Sequence, residues 1–185
     1  MYNPNNKKIM NKVRKASVVC MMVMMVCGMT SCLDNVKSDY TPRILVSELY
    51  VNPYYVKDTL YARDTISIRY NTKSEKYMSD TMLQGDTVMF GVAFDAQGNN
   101  LVSTRVEWDS TTVQAWFGIN DDIKKALSDT TDLGDGSLSY VPGYNVASFP
   151  VYLLPKKAGS HTIKMTIETD SKYSPVSNSF DLIVE

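Results

Sequence analysis

The feature that most constrains this chain is a period of two. Ile66, Ile68 and Tyr70 alternate with Thr65, Ser67 and Arg69, and Val88, Phe90, Val92 and Phe94 alternate with Thr87, Met89, Gly91 and Ala93. The same pattern returns in Val102, Thr104, Val106 and Trp108 against Ser103, Arg105, Glu107 and Asp109, and in Ile163, Met165 and Ile167 against Thr162, Lys164, Thr166 and Glu168. It closes the chain with Phe180, Leu182 and Val184 around Asp181. Successive side chains of a strand point to opposite faces, so each stretch reads as a half-buried strand. Residues 43–51 and 149–153 are also strand-like, but their continuous apolar runs leave the inward face open. Seven to eight strands are expected.

The connections are consistent with this. Asp95-Ala96-Gln97-Gly98-Asn99-Asn100 has hairpin turn chemistry, and Pro155 to Gly159 separates the next strand pair. Only one short helix is expected. Asn120 can cap a run from Asp121 to Leu127, with acids in the first turn, where the helix dipole favours them, and Ile123, Ala126 and Leu127 on one face. Regularly spaced strands with almost no helix predict an all-β, antiparallel β-sandwich in one domain.

The start of the chain is different in kind. Residues 1–31 carry Lys7, Lys8, Lys12, Arg14 and Lys15, no acid, and an uncharged Met- and Val-rich run over residues 16–30. A basic stretch followed by a run of that length, ending in small residues, has the form of a secretory signal peptide, and it is short for a membrane span of about 20 residues. Without it, 154 residues remain, with 14 basic against 20 acidic side chains and a net charge of −6. Phosphate recognition needs clustered positive charge, so no nucleic-acid partner is expected.

Met29-Thr30-Ser31-Cys32 resembles the lipobox of bacterial lipoproteins, in which the cysteine is lipidated and becomes the new N-terminus. The resemblance implies a signal peptide over residues 1–31, a lipid at Cys32, and a membrane partner reached through that anchor. With Leu33 rather than Asp next, it further implies the outer membrane, facing the periplasm or the cell surface. Residues 32–42 show no periodicity and end at Pro42, so they read as a flexible tether, with the folded domain over residues 43–185. The other two cysteines, Cys20 and Cys27, lie in the leader. The folded domain therefore depends on its core and not on disulfides.

Gly85-Asp86-Thr87-Val88 opening one strand, Trp108 on the next, and Gly159-Ser160-His161-Thr162-Ile163 opening the penultimate strand are similar to bacterial immunoglobulin-like domains of surface lipoproteins. The resemblance implies an immunoglobulin-like sandwich. His161 stands where many such domains carry a tyrosine.

Few residues offer chemistry. His161 is the one histidine, and its parity with Ile163 reads as a strand-opening structural residue. Glu107 sits on the face of Arg105 and Asp109, a solvated strand face, and Asp129, Asp132 and Asp135 lack the alternating ligands of a calcium loop. No cofactor, metal site or catalytic residue is expected. Tyr54, Tyr55, Tyr140 and Tyr144 fall in or beside predicted loops, where rings can stack on sugars or anchor interfaces. The segment 129–145 reads as a long loop, and such loops are functional or disordered. The expected ligand-binding set is accordingly Tyr140, Tyr144, Asp132 and Asp135, with Trp116 extending the apolar floor. The expected function is a non-enzymatic, lipid-anchored envelope component that captures a glycan or contacts a partner protein. The alternatives are a spacer without a ligand and a surface hydrolase.

Overall fold

The computed structural model describes residues 39–185, so the leader, Cys32 and residues 32–38 of the tether lie outside the described residues. Among the described residues the domain is the expected all-β sandwich: two mainly antiparallel sheets with one short helix. The first sheet runs β10 (Val113–Phe117), β12 (Val146–Pro155), β8 (Val88–Asp95), β2 (Leu49–Val51), β5 (Asp64–Ile66), with β1 (Arg43–Val46) also on β8. The second runs β11 (Ser137–Ser139), β9 (Leu101–Glu107), β13 (Gly159–Thr169), β14 (Val176–Val184), β7 (Lys76–Ser79), β6 (Ile68–Asn71). β3 (Tyr54–Val56) and β4 (Thr59–Tyr61) form a separate hairpin. Among the described residues no helix is long and apolar enough to cross a membrane.

The alternation places the core as the sequence suggests. Val88, Phe90, Val92 and Phe94 of β8 and Ile163, Met165 and Ile167 of β13 are all fully buried. Phe90 of the first sheet meets Phe180 of the second edge-to-face at 5.5 Å, so the facing layers interdigitate. At one end Trp108, just past β9, lies 6.0 Å from Phe117, which meets Phe149 at 6.0 Å. Gly136 is required there: its φ is +80°, and a Cβ would fall 2.1 Å from the Val106 carbonyl oxygen.

Strand number and several connections differ from expectation. The 14 strands among the described residues arise because regular runs break where the chain changes direction or sheet. Residues 43–51 divide into β1 and β2 at Ser47, whose N–H donates to the Gly91 carbonyl (2.9 Å) and whose Oγ accepts from the Gly91 N–H (2.8 Å). The run containing Ile66, Ile68 and Tyr70 divides at Ser67, so β5 joins the first sheet and β6 the second, and Tyr70 is exposed. The 95–100 turn is not a hairpin. Gln97 and Gly98 take positive φ as turn residues do, but they carry the chain from β8 in the first sheet to β9 in the second. On β9 the register against β13 shifts at Glu168/Thr169, which turns Leu101 inward (2% exposed) and Val102 outward (44%).

The helix α1 (Asp121–Ala126) is capped by Asn120, whose Oδ1 accepts from the Ile123 N–H at 2.9 Å. Asp121–Lys124 and Asp122–Lys125 pairs line its exposed side.

Candidate functional site

The site is built from four strands of the first sheet and one hairpin. β3 and β4 are joined by a two-residue turn in which Lys57 (φ +47°) and Asp58 (φ +64°) both adopt left-handed backbone, as a type I′ turn requires. Asn52 and Asp86 fix the hairpin's base. The Asn52 N–H donates to the Thr87 carbonyl (2.7 Å), Asn52 Oδ1 accepts from the Thr87 N–H (2.9 Å), and Asn52 Nδ2 donates to Asp86 Oδ1 (2.8 Å). Arg63, at the other leg, forms a two-point ion pair with the same carboxylate. Burial alone would raise the pKa of Asp86, but the hydrogen bonds from Asn52 and Arg63 and the charge of Arg63 outweigh it, so the carboxyl titrates below its ordinary 3.8.

The hairpin accompanies an aromatic row on the outer face of the first sheet. Register sets Tyr50 of β2 beside Met89 of β8, Met89 beside Tyr152 of β12, and Tyr152 beside Trp116 of β10. Leu49, Val88 and Val151, next to the first three in their strands, are buried, and Ala115 and Phe117 on either side of Trp116 pack against the core, so this row faces outward. Met89 is nonetheless only 4% exposed, because large rings flank it. Trp116 and Tyr152 stack with parallel planes, centroids 5.4 Å apart. β10 is the edge strand, so the side of Trp116 turned away from Tyr152 has no sheet neighbour, and the residue is 40% exposed. Burial, then a hydrogen bond to Tyr55, raises the Tyr152 pKa and keeps its hydroxyl protonated. That bond brings β3 to the sheet face. Tyr54 and Tyr61 stack on each other at 5.6 Å and are both about half exposed.

Chemically this is a set of flat rings with hydroxyl rims on a rigid support. Ring faces attract the C–H faces of a pyranose, and the phenolic hydroxyls serve as donors and acceptors at its edge.

Of the expected ligand-binding set, Trp116 alone belongs to this face, joined by Tyr55, one of the loop tyrosines singled out from sequence. The expected exposed pair Tyr140 and Tyr144 does not form. Tyr140 is 7% exposed, its hydroxyl is 2.8 Å from Thr104 Oγ1, and burial pushes its pKa up to about 12. It is a core residue. Tyr144, at 37% exposure, follows Gly143, whose φ of +101° suits the turn expected at Pro142-Gly143. The segment 129–145 is not an open loop: β11 pairs with β9, and Asp132 and Ser137 exchange backbone hydrogen bonds. Asp132 accepts from the Gly134 N–H (2.8 Å) and Asp135 from the Ser137 N–H (2.9 Å), so both carboxylates brace a tight turn. Among the described residues no group of three or more His, Cys, Asp or Glu side chains is placed to hold a metal ion.

Tyr152, Tyr61 and Tyr50 are the members that sequence reasoning missed. Tyr152 lies in the apolar run 149–153, where strict alternation with Val151 and Leu153 would have turned it outward. Tyr61 was hidden because Lys57-Asp58 lacks the Asn or Gly that marks a two-residue hairpin. Elsewhere, His161 is 8% exposed with Nε2 2.8 Å from the Lys157 carbonyl oxygen, and Glu107 pairs with Lys164 at 2.9 Å.

The sequence matches no protein-family model and no curated protein. Among solved structures, 64% of the chain is similar to 23% of the secreted serine protease VesC from Vibrio cholerae, with 16% identity and a TM-score of 0.37. A family 123 glycoside hydrolase from Clostridium perfringens is similar over 57% of this chain and 22% of its own, at 13% identity and a TM-score of 0.36. A PapD-like domain of human CEP192 is similar over 72% of this chain and 98% of its own, at 10% identity and a TM-score of 0.32. The chain thus spans under a quarter of the first two proteins, and no activity passes from any of them to it.

Proposed function

We propose that this protein is a non-enzymatic binding component of the cell envelope, held by a lipid at Cys32 in the outer membrane, that captures a glycan on the aromatic outer face of its first sheet. One observation carries the reading: Trp116 stacks on Tyr152 on a sheet face that alternation would otherwise leave polar, with Tyr55 of the β3–β4 hairpin bonded to Tyr152. Exposed rings grouped on one rigid face are uncommon without a partner to cover them. Hydroxyl-bearing rings suit a ligand that is apolar on its face and polar on its edge, as a pyranose is.

The test is a glycan array probed with the full chain, followed by calorimetry. A stacked ring is worth about 0.5–1.5 kcal/mol beyond its buried area, so Trp116→Ala with Tyr152→Ala weakens a captured glycan by about tenfold. Tyr144→Ala leaves its affinity unchanged. A glycan that binds the double variant as tightly as the parent places the site elsewhere. For the anchor, Cys32→Ser releases the protein from membranes; continued fractionation with membranes at the normal mature mass overturns lipidation.

A further inference from the structure

The sandwich is a strand short on the flank that carries β10. The Lys156 N–H donates to the Thr112 carbonyl (2.8 Å) and the Gly118 N–H to the Pro150 carbonyl (2.9 Å), so residues 112, 114, 116 and 118 turn their backbone groups toward β12. Val113, Ala115 and Phe117 turn theirs the other way, where the sheet has no further strand. The Val113 N–H is taken by the Asp109 carbonyl at 2.9 Å, but the Val113 carbonyl and both backbone groups of Ala115 and of Phe117 have no hydrogen-bond partner among the described residues. The helix α1, which follows at Asp121, makes no hydrogen bond to this edge. Sheet edges are ordinarily blunted by lysine, proline or a bulge, and Val-Gln-Ala-Trp-Phe has none of these.

The second sheet reaches farther on the same flank. Trp108, just past β9, lies against Phe117 of β10, and beyond β9 that sheet continues with β11 and then with residues 127–132, joined to β11 by the bridges Leu127↔Tyr140 and Asp132↔Ser137. The first sheet ends at β10, so its edge stands above a ledge formed by the second. Ala115 and Phe117 share the inward parity of the fully buried Val113, yet they are only half-buried, as are Trp108, Ile119 and Ile123. On the outward side Trp116 has one ring face against Tyr152 and the other toward the open edge. The ledge carries Asp129 and Asp132, and neither carboxylate is in an ion pair among the described residues.

We infer that the β10 edge is a protein-docking site that takes an extended segment of a partner as an added antiparallel strand, with apolar side chains alternating with arginine or lysine. In antiparallel pairing the segment residues opposite Ala115 and Phe117 exchange main-chain hydrogen bonds with them and share their inward face, so those positions are apolar and complete the half-covered strip. The intervening residues stand opposite Gln114 and Trp116 on the outer face. There a guanidinium stacks on the free face of the Trp116 ring, and the carboxylates of Asp129 and Asp132 favour the same charge. A single strand fits where a second folded copy does not, because a copy that offered its own β10 would bring its own ledge against this one. The inference rests on the strand edge and not on glycan capture.

The experiment titrates the full chain, in detergent and without glycan, with a fluorescent acetylated heptapeptide of alternating Val and Arg that begins and ends with Val. Its valine N–H groups face β10 and its arginine N–H groups face solvent. The peptide saturates; N-methylation at the valines weakens it about tenfold, and N-methylation at the arginines leaves it within about twofold. The Val–Glu analogue binds at least about tenfold more weakly, and Trp116→Ala weakens the Val–Arg peptide about threefold. Ala115→Pro removes an N–H that makes no ladder bond to β12, and it weakens the peptide to the same extent as valine methylation. Absence of saturable binding up to millimolar peptide, equal effects of methylation at the two sets of positions, equal binding of the Val–Glu analogue, or insensitivity to Trp116→Ala overturns the proposal. So does a dimer of the free chain in sedimentation that Ala115→Pro dissociates, because the edge then belongs to a second copy. If Ala115→Pro fails to fold, the valine-methylated peptide makes the same test on the parent protein.

Discussion

The two outer faces of this sandwich obey the same alternation and are dressed in opposite ways. On the second sheet, the outward positions of β9 and β13 carry Arg105, Glu107, Lys164 and Glu168, with Glu107 between Lys164 at 2.9 Å and Arg105 at 3.9 Å. On the first sheet, the equivalent positions of β2, β8, β12 and β10 carry Tyr50, Met89, Tyr152 and Trp116. The second face satisfies the ordinary requirement of solubility. The first gives up that advantage for ring surface, and folding does not require the exchange, because Phe90, Phe94 and Leu153 already fill the space between the sheets. The difference separates what holds the domain together from what it presents.

The sharpest way to break this comparison is to remove a ring from each side of the first sheet. Phe90→Ala, which empties a fully buried position facing Phe180, costs about 3–5 kcal/mol by denaturant unfolding. Trp116→Ala, on the outer face, costs a small fraction of that. Equal losses would make the aromatic row part of the folding core.

A smaller effect concerns how the hairpin is held. The Asp86 carboxyl titrates below 3.8 when folded, so its contribution is complete above that value and is lost as pH falls through the lower folded pKa. Acidification below 3.8 therefore frees the β3–β4 amides to exchange before those of β8, and Asp86→Asn abolishes that pH step. A hairpin whose exchange is indifferent to both changes is held by Tyr55 and Tyr152 alone.

The smallest effect is on the charged face. Lys164→Ala, which breaks a half-exposed pair, changes stability by about 0.2–1 kcal/mol, an effect that shrinks further in salt. A larger loss would mean that this face is also specialised.

How much of this was legible in the sequence follows from how local each cause is. Period two identified the buried faces of β8, β13 and β14 because a residue's side of a strand depends only on parity. The cap at Asn120 was equally local. The division at Ser67, the crossing at residues 95–100 and the shift at Glu168/Thr169 were not legible, because they depend on which strand lies alongside. For the same reason the sequence reading grouped Tyr140 and Tyr144 by closeness in the chain, while Trp116 meets Tyr152 across 36 residues through the pairing of β10 with β12. Tyr140 looked like a loop residue because β11 has three residues, too few to show alternation.

The repeated passage of the chain between sheets also shapes the order in which the domain can form. Apart from the hairpins β3–β4, β6–β7 and β13–β14, few neighbours in sequence are neighbours in a sheet. β8 acquires its long partner only when Phe90 finds Val151, and its covering ring only when Phe180 arrives. Distant pairings must close large loops before any contact repays them, which makes such topologies slow to fold. Until the last strand is in place the central strand has an uncovered apolar face. The time between emergence of the chain and docking of β14 is thus the interval in which this protein is most exposed to aggregation and proteolysis.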